Sequence, residues 1–190
     1  MTLDDGQTVD AEQPEYFGEQ FLRHDGLLDV VRQSDLVTIS WSRLVGHDKS
    51  MLWGNGDDVT ADRGKIRVTL HHNEFVDLVQ RAPRVRYGQA HVYNNLYKVT
   101  DPEHYEYSWG VGIESTIIAR QNTFELAAGV EAADIIHNWG GKGIDAAGTW
   151  VNGSETDVLA AYNAANPGTP LSGTAIWRSE ERRVGKECRS

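Results

Sequence analysis

The hydrophobic and polar positions in the middle of the chain fall into short β segments rather than helices. "LVTISW" (36–41), "KIRVTLHH" (65–72), "AHVYNN" (90–95) and "STIIAR" (115–120) are rich in Val, Ile, Thr and Tyr, which pack well on a pleated surface. Turn signals separate them: "GNGDD" (54–58), "DRG" (62–64) and "DP" (101–102). Amphipathic helical periodicity is weak until "ETDVLAAYNAA" (155–165), and "AAGVEAADIIHNW" (127–139) is a second short helix candidate.

A looser regularity runs through these strands. Three of them end in asparagine, at Asn73, Asn95 and Asn122, with separations of 22 and 27 residues. Coils of twenty-odd residues, each a few short strands joined by turns, are the mark of a solenoid. In a parallel β-helix, equivalent positions of successive coils stack, and buried asparagines can hydrogen-bond along the stack. The same asparagines would suit turns that close antiparallel hairpins.

Composition narrows the class. At 190 residues, with 39% hydrophobic and 24% charged residues, the chain has the make-up of one globular domain large enough to bury a core. No apolar run of about 18 residues appears, so no membrane span is expected. No basic segment followed by an apolar one marks a secretory signal. The single cysteine, Cys188, cannot form an internal disulfide. From Arg178 onward the sequence reads "RSEERRVGKECRS", almost without apolar residues, and is expected to be a disordered or foreign tail (178–190) after a domain spanning 1–177.

The net charge of -10 is unevenly spread. Residues 1–42 carry two Arg against nine Asp/Glu, residues 43–98 nine Lys/Arg against six, and residues 99–177 two against ten. Overall acidity argues against a nucleic-acid partner, whose binding surfaces are broadly basic. A focused cationic band suits a small or linear anion better.

Several residues could carry chemistry. "RAPRVRYG" (81–88) crowds Arg81, Arg84 and Arg86 around Pro83, which fixes the backbone between the first two. In an extended chain Arg84 and Arg86 share a face, with Arg81 near a turn. Such a cluster binds an anion, or forms a solvated edge that discourages strand aggregation. Asp25 and Asp29 bracket a turn permitted by Gly26; paired carboxylates suit a hard cation such as Ca²⁺, although the spacing is commonplace. Lys49 is either a surface lysine or a point charge for a carboxylate or phosphate. His47, His71, His72 and His91 match no familiar zinc spacing, and adjacent strand residues point to opposite faces, so packing or hydrogen-bonding roles are expected.

Taken together, "HDGLLDV", "SDLVTISWS", "GHDKSMLWGNGD", "GKIRVTLHHNEF", "QRAPRVRYGQAHVYNN" and "YSWGVGIES" resemble, in this order, the pectate lyases of polysaccharide lyase family 1. The resemblance runs from about Leu3 to Trp177, with offsets of 24 residues from Asp25 to Lys49, 32 from Lys49 to Arg81 and 5 from Arg81 to Arg86. It implies an all-β, right-handed parallel β-helix that binds polygalacturonate in an exterior groove and cleaves it by calcium-dependent β-elimination. By the same resemblance Arg81 is the base, Lys49 and Arg86 bind substrate carboxylates, and Asp25 and Asp29 are calcium ligands. Arg84 has no role by this comparison and is expected to be exposed. The expected partner is polygalacturonate, bound by a secreted monomer, with no nucleic acid or membrane involved. Members of the family carry further coils, a capping helix and another calcium-ligand aspartate upstream of the part aligned here, and more sequence beyond Trp177. The chain is therefore expected to be an internal piece, truncated at the N-terminal end, with low solubility and activity. The rival readings are a pectin lyase acting on methylated polymer without calcium, and a non-catalytic β-helix that binds polysaccharide. Asp25, Asp29 and Lys49 favour an ionised substrate over the first, and Arg81, Lys49 and Arg86 together argue against the second.

Overall fold

The computed structural model describes residues 1–6, 15–20 and 25–174; the boundary expected at residue 177 and the 178–190 tail lie outside them. Alternation of apolar and polar side chains is resolved by winding rather than by hairpins. In Arg67–His71 the side chains of Val68 and Leu70 point inward, while Arg67, Thr69 and His71 point outward. Each such strand hydrogen-bonds to its counterpart one coil away, in parallel register.

Three parallel sheets result. The first holds Val37–Ser40, Arg67–His71, Gln89–Tyr93, Thr116–Arg120 and Ile144–Asp145. The second holds Thr2–Asp4, Arg43–Lys49, Glu74–Gln80, Leu96–Val99, Thr123–Leu126 and Trp150–Val151, with Ser154–Glu155 added antiparallel. The third holds Leu52–Trp53, Arg84–Val85, Trp109–Gly112 and Ile136–Trp139. The chain visits them in the same sequence on every turn, which makes the protein a parallel β-helix. The hairpin reading of the asparagines is thereby excluded.

Stacking extends into the interior. Leu44, Phe75, Tyr97 and Phe124 occupy one register position and are all buried. The Tyr97 and Phe124 rings lie 4.3 Å apart and nearly parallel, and Phe75 follows 4.7 Å from Tyr97. The Tyr97 hydroxyl donates to Ala82 O (3.1 Å) and accepts from Trp109 Nε1 (3.1 Å), so its polar end is satisfied inside.

The corner between the first and second sheets has one design in every coil. A residue in the left-handed region turns the chain: Trp41 (φ 52°), His72 (54°), Asn94 (53°), Gln121 (54°) and Gly148 (68°). The next residue points inward: Ser42, Asn73, Asn95, Asn122 and Thr149, all buried. The three amides form a ladder. Asn73 Nδ2 donates to Asn95 Oδ1 and Asn95 Nδ2 to Asn122 Oδ1, each at 3.0 Å. Each Oδ1 also accepts a backbone N–H from the coil below, and each Nδ2 donates to a strand carbonyl: Ile39 O, Leu70 O and Val92 O.

The helix candidate at 155–165 is present as Val158–Ala165, capped by Asp157, whose side chain accepts from Ala160 N (2.9 Å). The second candidate, 127–139, is not an α-helix. Ala132–Ile135 makes a single 3-10 turn, and Ile136–Trp139 is a strand of the third sheet paired with Trp109–Gly112. Pairing along the coil outweighs the local helical preference of its alanines.

Two measurements test these contacts. Asn95→Ala removes the acceptor for Asn73 and the donor to Leu70 O, and is expected to cost about 2–4 kcal/mol in urea denaturation. The second concerns Asp35, which accepts from Arg67 N (3.0 Å) and Nε (2.9 Å) and pairs with its Nη2. Those bonds from Arg67 hold its carboxyl below the usual value of 3.8. A depressed folded-state pKa stabilises above the unfolded value, and that contribution fades as pH falls through the folded one. Asp35→Asn is therefore expected to lose about 1–2 kcal/mol at neutral pH, with the difference shrinking in acid below pH 3.8.

Candidate active site

The corner between the second and third sheets gathers the cationic residues. Lys49 ends its strand opposite Gln80, so it lies one residue short of level with Arg81 on the next coil. Arg81 leaves the strand in a left-handed conformation (φ 60°), and the Ala82–Pro83 bond that follows is cis. Met51 N donates to Arg81 O (2.7 Å) and Arg84 N to Met51 O (3.0 Å), which ties the arginine segment to the coil below. Ala82 N donates to Ser108 O (2.7 Å), tying it to the coil above. Arg81, predicted near a turn, is there. Its guanidinium Nε is buried without a hydrogen-bond partner among the described residues.

Arg84 and Arg86 share the outer face of the third sheet, with Val85 buried between them. Arg84 is not exposed as expected: only 8% of its surface is accessible. Its guanidinium lies 4.1 Å from the centre of the Trp139 ring, a residue two coils away that no local reading could connect to it. Burial lowers the Arg84 pKa from the usual guanidinium range, and the charge of Arg86 adds to this, with Arg81 contributing less. Tyr107, packed against His137 and Trp139, completes the wall. Burial raises the Tyr107 pKa above 10.0, against the charge of Arg84, and burial also lowers His137 below 6.5, with help from Arg84.

Arg86 is already engaged. Its Nε is 2.5 Å from Asp57 Oδ1 and its Nη1 donates to Asn55 O (3.2 Å). Asp57 and Asn55 come from the loop after Leu52–Trp53, where a turn was predicted but no site residue. Two glycines admit the arginines: a Cβ on Gly54 would lie 2.4 Å from Arg86 O, and one on Gly110 would lie 3.0 Å from the Arg84 side chain.

Asp25 and Asp29 sit on the preceding coil. Leu27 N and Leu28 N donate to Ser50 O, and Leu52 N donates to Asp29 Oδ1 (2.8 Å), which docks this turn beside Lys49 and Met51. Burial raises the Asp29 pKa above 3.8; the Leu52 bond opposes this, the charge of Asp25 adds to it, and Arg81 and His47 counter it. Asp29 is thus an electrostatic neighbour of both Asp25 and Arg81. His47 is a hydrogen-bonding histidine, as expected: it is buried, with Nδ1 2.6 Å from Asp5 Oδ1 and Nε2 3.2 Å from Asp25 O. The structure therefore places Asp25, Asp29, Lys49 and Arg81 along the corner between the second and third sheets and Arg86 at the far end of the third-sheet strand, with Arg84 between the arginines, and adds Tyr107, Trp139 and Asp57.

The fold and this surface define the class: a parallel β-helix that displays carboxylates and a row of arginines on its outside. A family profile described as pectate lyase matches residues 2–175, and the chain belongs to that family. A pectate lyase of Bacillus subtilis (strain 168) is 39% identical over 164 residues, covering 84% of this chain and 39% of its own length. Among solved structures, the thermostable pectate lyase PL 47 superposes with a TM-score of 0.84 at 39% identity, over 93% of this chain and 44% of that one. A pectate lyase bound to a hexasaccharide does so with a TM-score of 0.80 at 36% identity, over 93% and 43%. The chain thus spans less than half the length of these relatives.

Gly26 keeps the Asp29 carboxylate in place, since a Cβ there would fall 2.3 Å from Asp29 Oδ2. Gly26→Ala is expected to push Asp29 off Leu52 N and cost about 1.5–3 kcal/mol, the range for a hydrogen bond to a charged group, read by thermal or urea unfolding.

Proposed function

We propose that this chain forms the catalytic core of a pectate lyase that cleaves α-1,4-linked polygalacturonate by β-elimination, with Ca²⁺ as its metal. The observation that carries the reading is the gathering of Lys49 and Arg81 with Asp25 and Asp29 along one corner of the helix, with Arg86 presented at the other end of the same short strand segment. The carboxylates suit a hard cation: burial and the charge of Asp25 both disfavour a bare Asp29 anion, and the glycine between them leaves the Asp29 face uncovered. Asp25 and Asp29 would supply part of the six to eight oxygens that such an ion takes, the rest coming from substrate, water or other protein groups. Bound there, Ca²⁺ would neutralise a uronate carboxylate and acidify the adjacent C5–H.

Lys49 and Arg86 would hold substrate carboxylates as a point charge and a planar fork, the latter already oriented by Asp57. Arg81 would take the C5 proton. The electron pair of that C–H bond becomes the C4–C5 double bond, the C4–O bond breaks, and the glycosidic oxygen leaves and is protonated. No water enters, so one product carries an unsaturated uronide at its new end. Arg84, stacked on Trp139, would support the positive potential of the corner without touching the reacting atoms. Action on a large extracellular polymer is in keeping with secretion, and no helix of the described residues is long and apolar enough to cross a membrane.

A guanidinium releases its proton reluctantly, so activity is expected to rise into the alkaline range. With polygalacturonate the protein should release ultraviolet-absorbing unsaturated uronide, and a chelator should abolish the signal. Arg81→Lys is expected to lose far more than tenfold in kcat; activity within about tenfold of the parent would overturn the assignment of the base. Chelator-insensitive turnover of methylated polymer would point to the pectin lyase reading instead.

A further inference from the structure

His71 and His72 do not point to opposite faces. His71 ends a strand of the first sheet with its side chain outward, and His72 is the left-handed bend residue that follows (φ 54°). The bend cancels the alternation expected of neighbouring strand residues, and Asn73 takes the inward position instead. Both imidazoles therefore stand on the outside of the corner, with their Nδ1 atoms 2.8 Å apart.

The rings are held rather than loose. His71 stacks on Tyr93 (centroids 5.0 Å, planes 14° apart) and His72 on Trp41 (4.7 Å, 22°). They meet each other edge-on, at 89°. In the other coils the same two positions carry Ser40 and Trp41, Tyr93 and Asn94, or Arg120 and Gln121, so this coil alone among those four presents two imidazoles.

We propose that His71 and His72 form a bidentate chelate for a first-row divalent ion with tetragonal preference, Cu²⁺ or Ni²⁺, on the corner remote from the arginine cluster. Two nitrogens bound at about 2.0 Å and about 90° apart lie about 2.8 Å from each other, whereas a tetrahedral angle would spread them to about 3.3 Å. The observed separation, that of an N–H···N hydrogen bond, equals that of the cis arrangement, so an ion can take the proton's place without spreading the rings, and the preference for Cu²⁺ over Zn²⁺ follows from the general order of affinities for nitrogen ligands. Without metal, one Nδ1 must hold a proton that the other accepts; binding replaces that shared proton with the ion. No third His, Cys, Asp or Glu joins a metal-binding group among the described residues, so water would fill the remaining positions.

The test uses copper or nickel sulfate alone as the probe. Titration with Cu²⁺ should quench the fluorescence of Trp41, which stacks on His72, with a stoichiometry of one. The electron paramagnetic resonance spectrum should show hyperfine coupling to two imidazole nitrogens. The informative variants borrow residues that neighbouring coils already carry at these positions: His71→Ser, as at Ser40, and His72→Asn, as at Asn94, which has the same left-handed backbone. Each is expected to weaken Cu²⁺ binding at least tenfold and reduce the coupling to one nitrogen, while circular dichroism stays that of the parent. His104→Asn, at an exposed loop, should change neither. Zn²⁺ should bind at least tenfold more weakly than Cu²⁺. Unchanged affinity in both ridge variants, or a single-nitrogen spectrum for the parent, would overturn the proposal.

Discussion

The buried amide ladder is the constraint on which the rest of this structure depends. A chain that turns a tight corner five times must hide backbone and side-chain polar groups where no water reaches them, and an unmet amide there costs about 1–3 kcal/mol. Asn73, Asn95 and Asn122 meet that demand by bonding to one another and to the strand on each side. Because each link needs the coils in strict register, the ladder also fixes which strands face each other. The apolar column of Leu44, Phe75, Tyr97 and Phe124 and the third-sheet row of Leu52, Arg84, Gly110 and His137 follow from that alignment.

Register in turn makes the electrostatic corner. Residues far apart in sequence, Asp29, Lys49, Arg81 and Tyr107, come together because the helix brings the same part of each coil to the same edge. The carboxylates enter one layer below Lys49 and two below the arginines, so opposite charges lie along the axis and like charges lie within the Arg81–Arg86 segment. Within that segment Arg86 pairs with Asp57 and Arg84 lies over Trp139, while Arg81 and Arg84 each keep a buried Nε without a hydrogen-bond partner among the described residues. An anion arriving from solvent meets a cluster of guanidiniums in which Arg86 and Arg84 are already held in place.

The parts of this that could be read from the sequence are those with a local cause. Asparagines at intervals of 22 and 27 residues announce a coil because the ladder demands one amide per turn. The turn at Arg81 follows from Pro83, and the capped helix at Val158–Ala165 from Asp157 and the alanines after it. Misreadings arise where a partner sits in another coil. Ile136–Trp139 looks helical in isolation and becomes a strand because Trp109–Gly112 is waiting for it. Arg84 looks like a surface charge because Trp139, which covers it, is 55 residues on. The histidine pair defeats the alternation rule because one left-handed residue, invisible to any period-two pattern, rotates the chain between them.

The left-handed bends have a wider consequence. Trp41, His72, Asn94, Gln121 and Gly148 follow one another up the outer edge, one per coil, separated by the spacing of parallel strands, about 4.8 Å. None of them contributes a side chain to the interior, and the residues found there already range from glycine to tryptophan. The edge is in effect a graduated rule whose marks can be rewritten one at a time while the scaffold behind them stays the same.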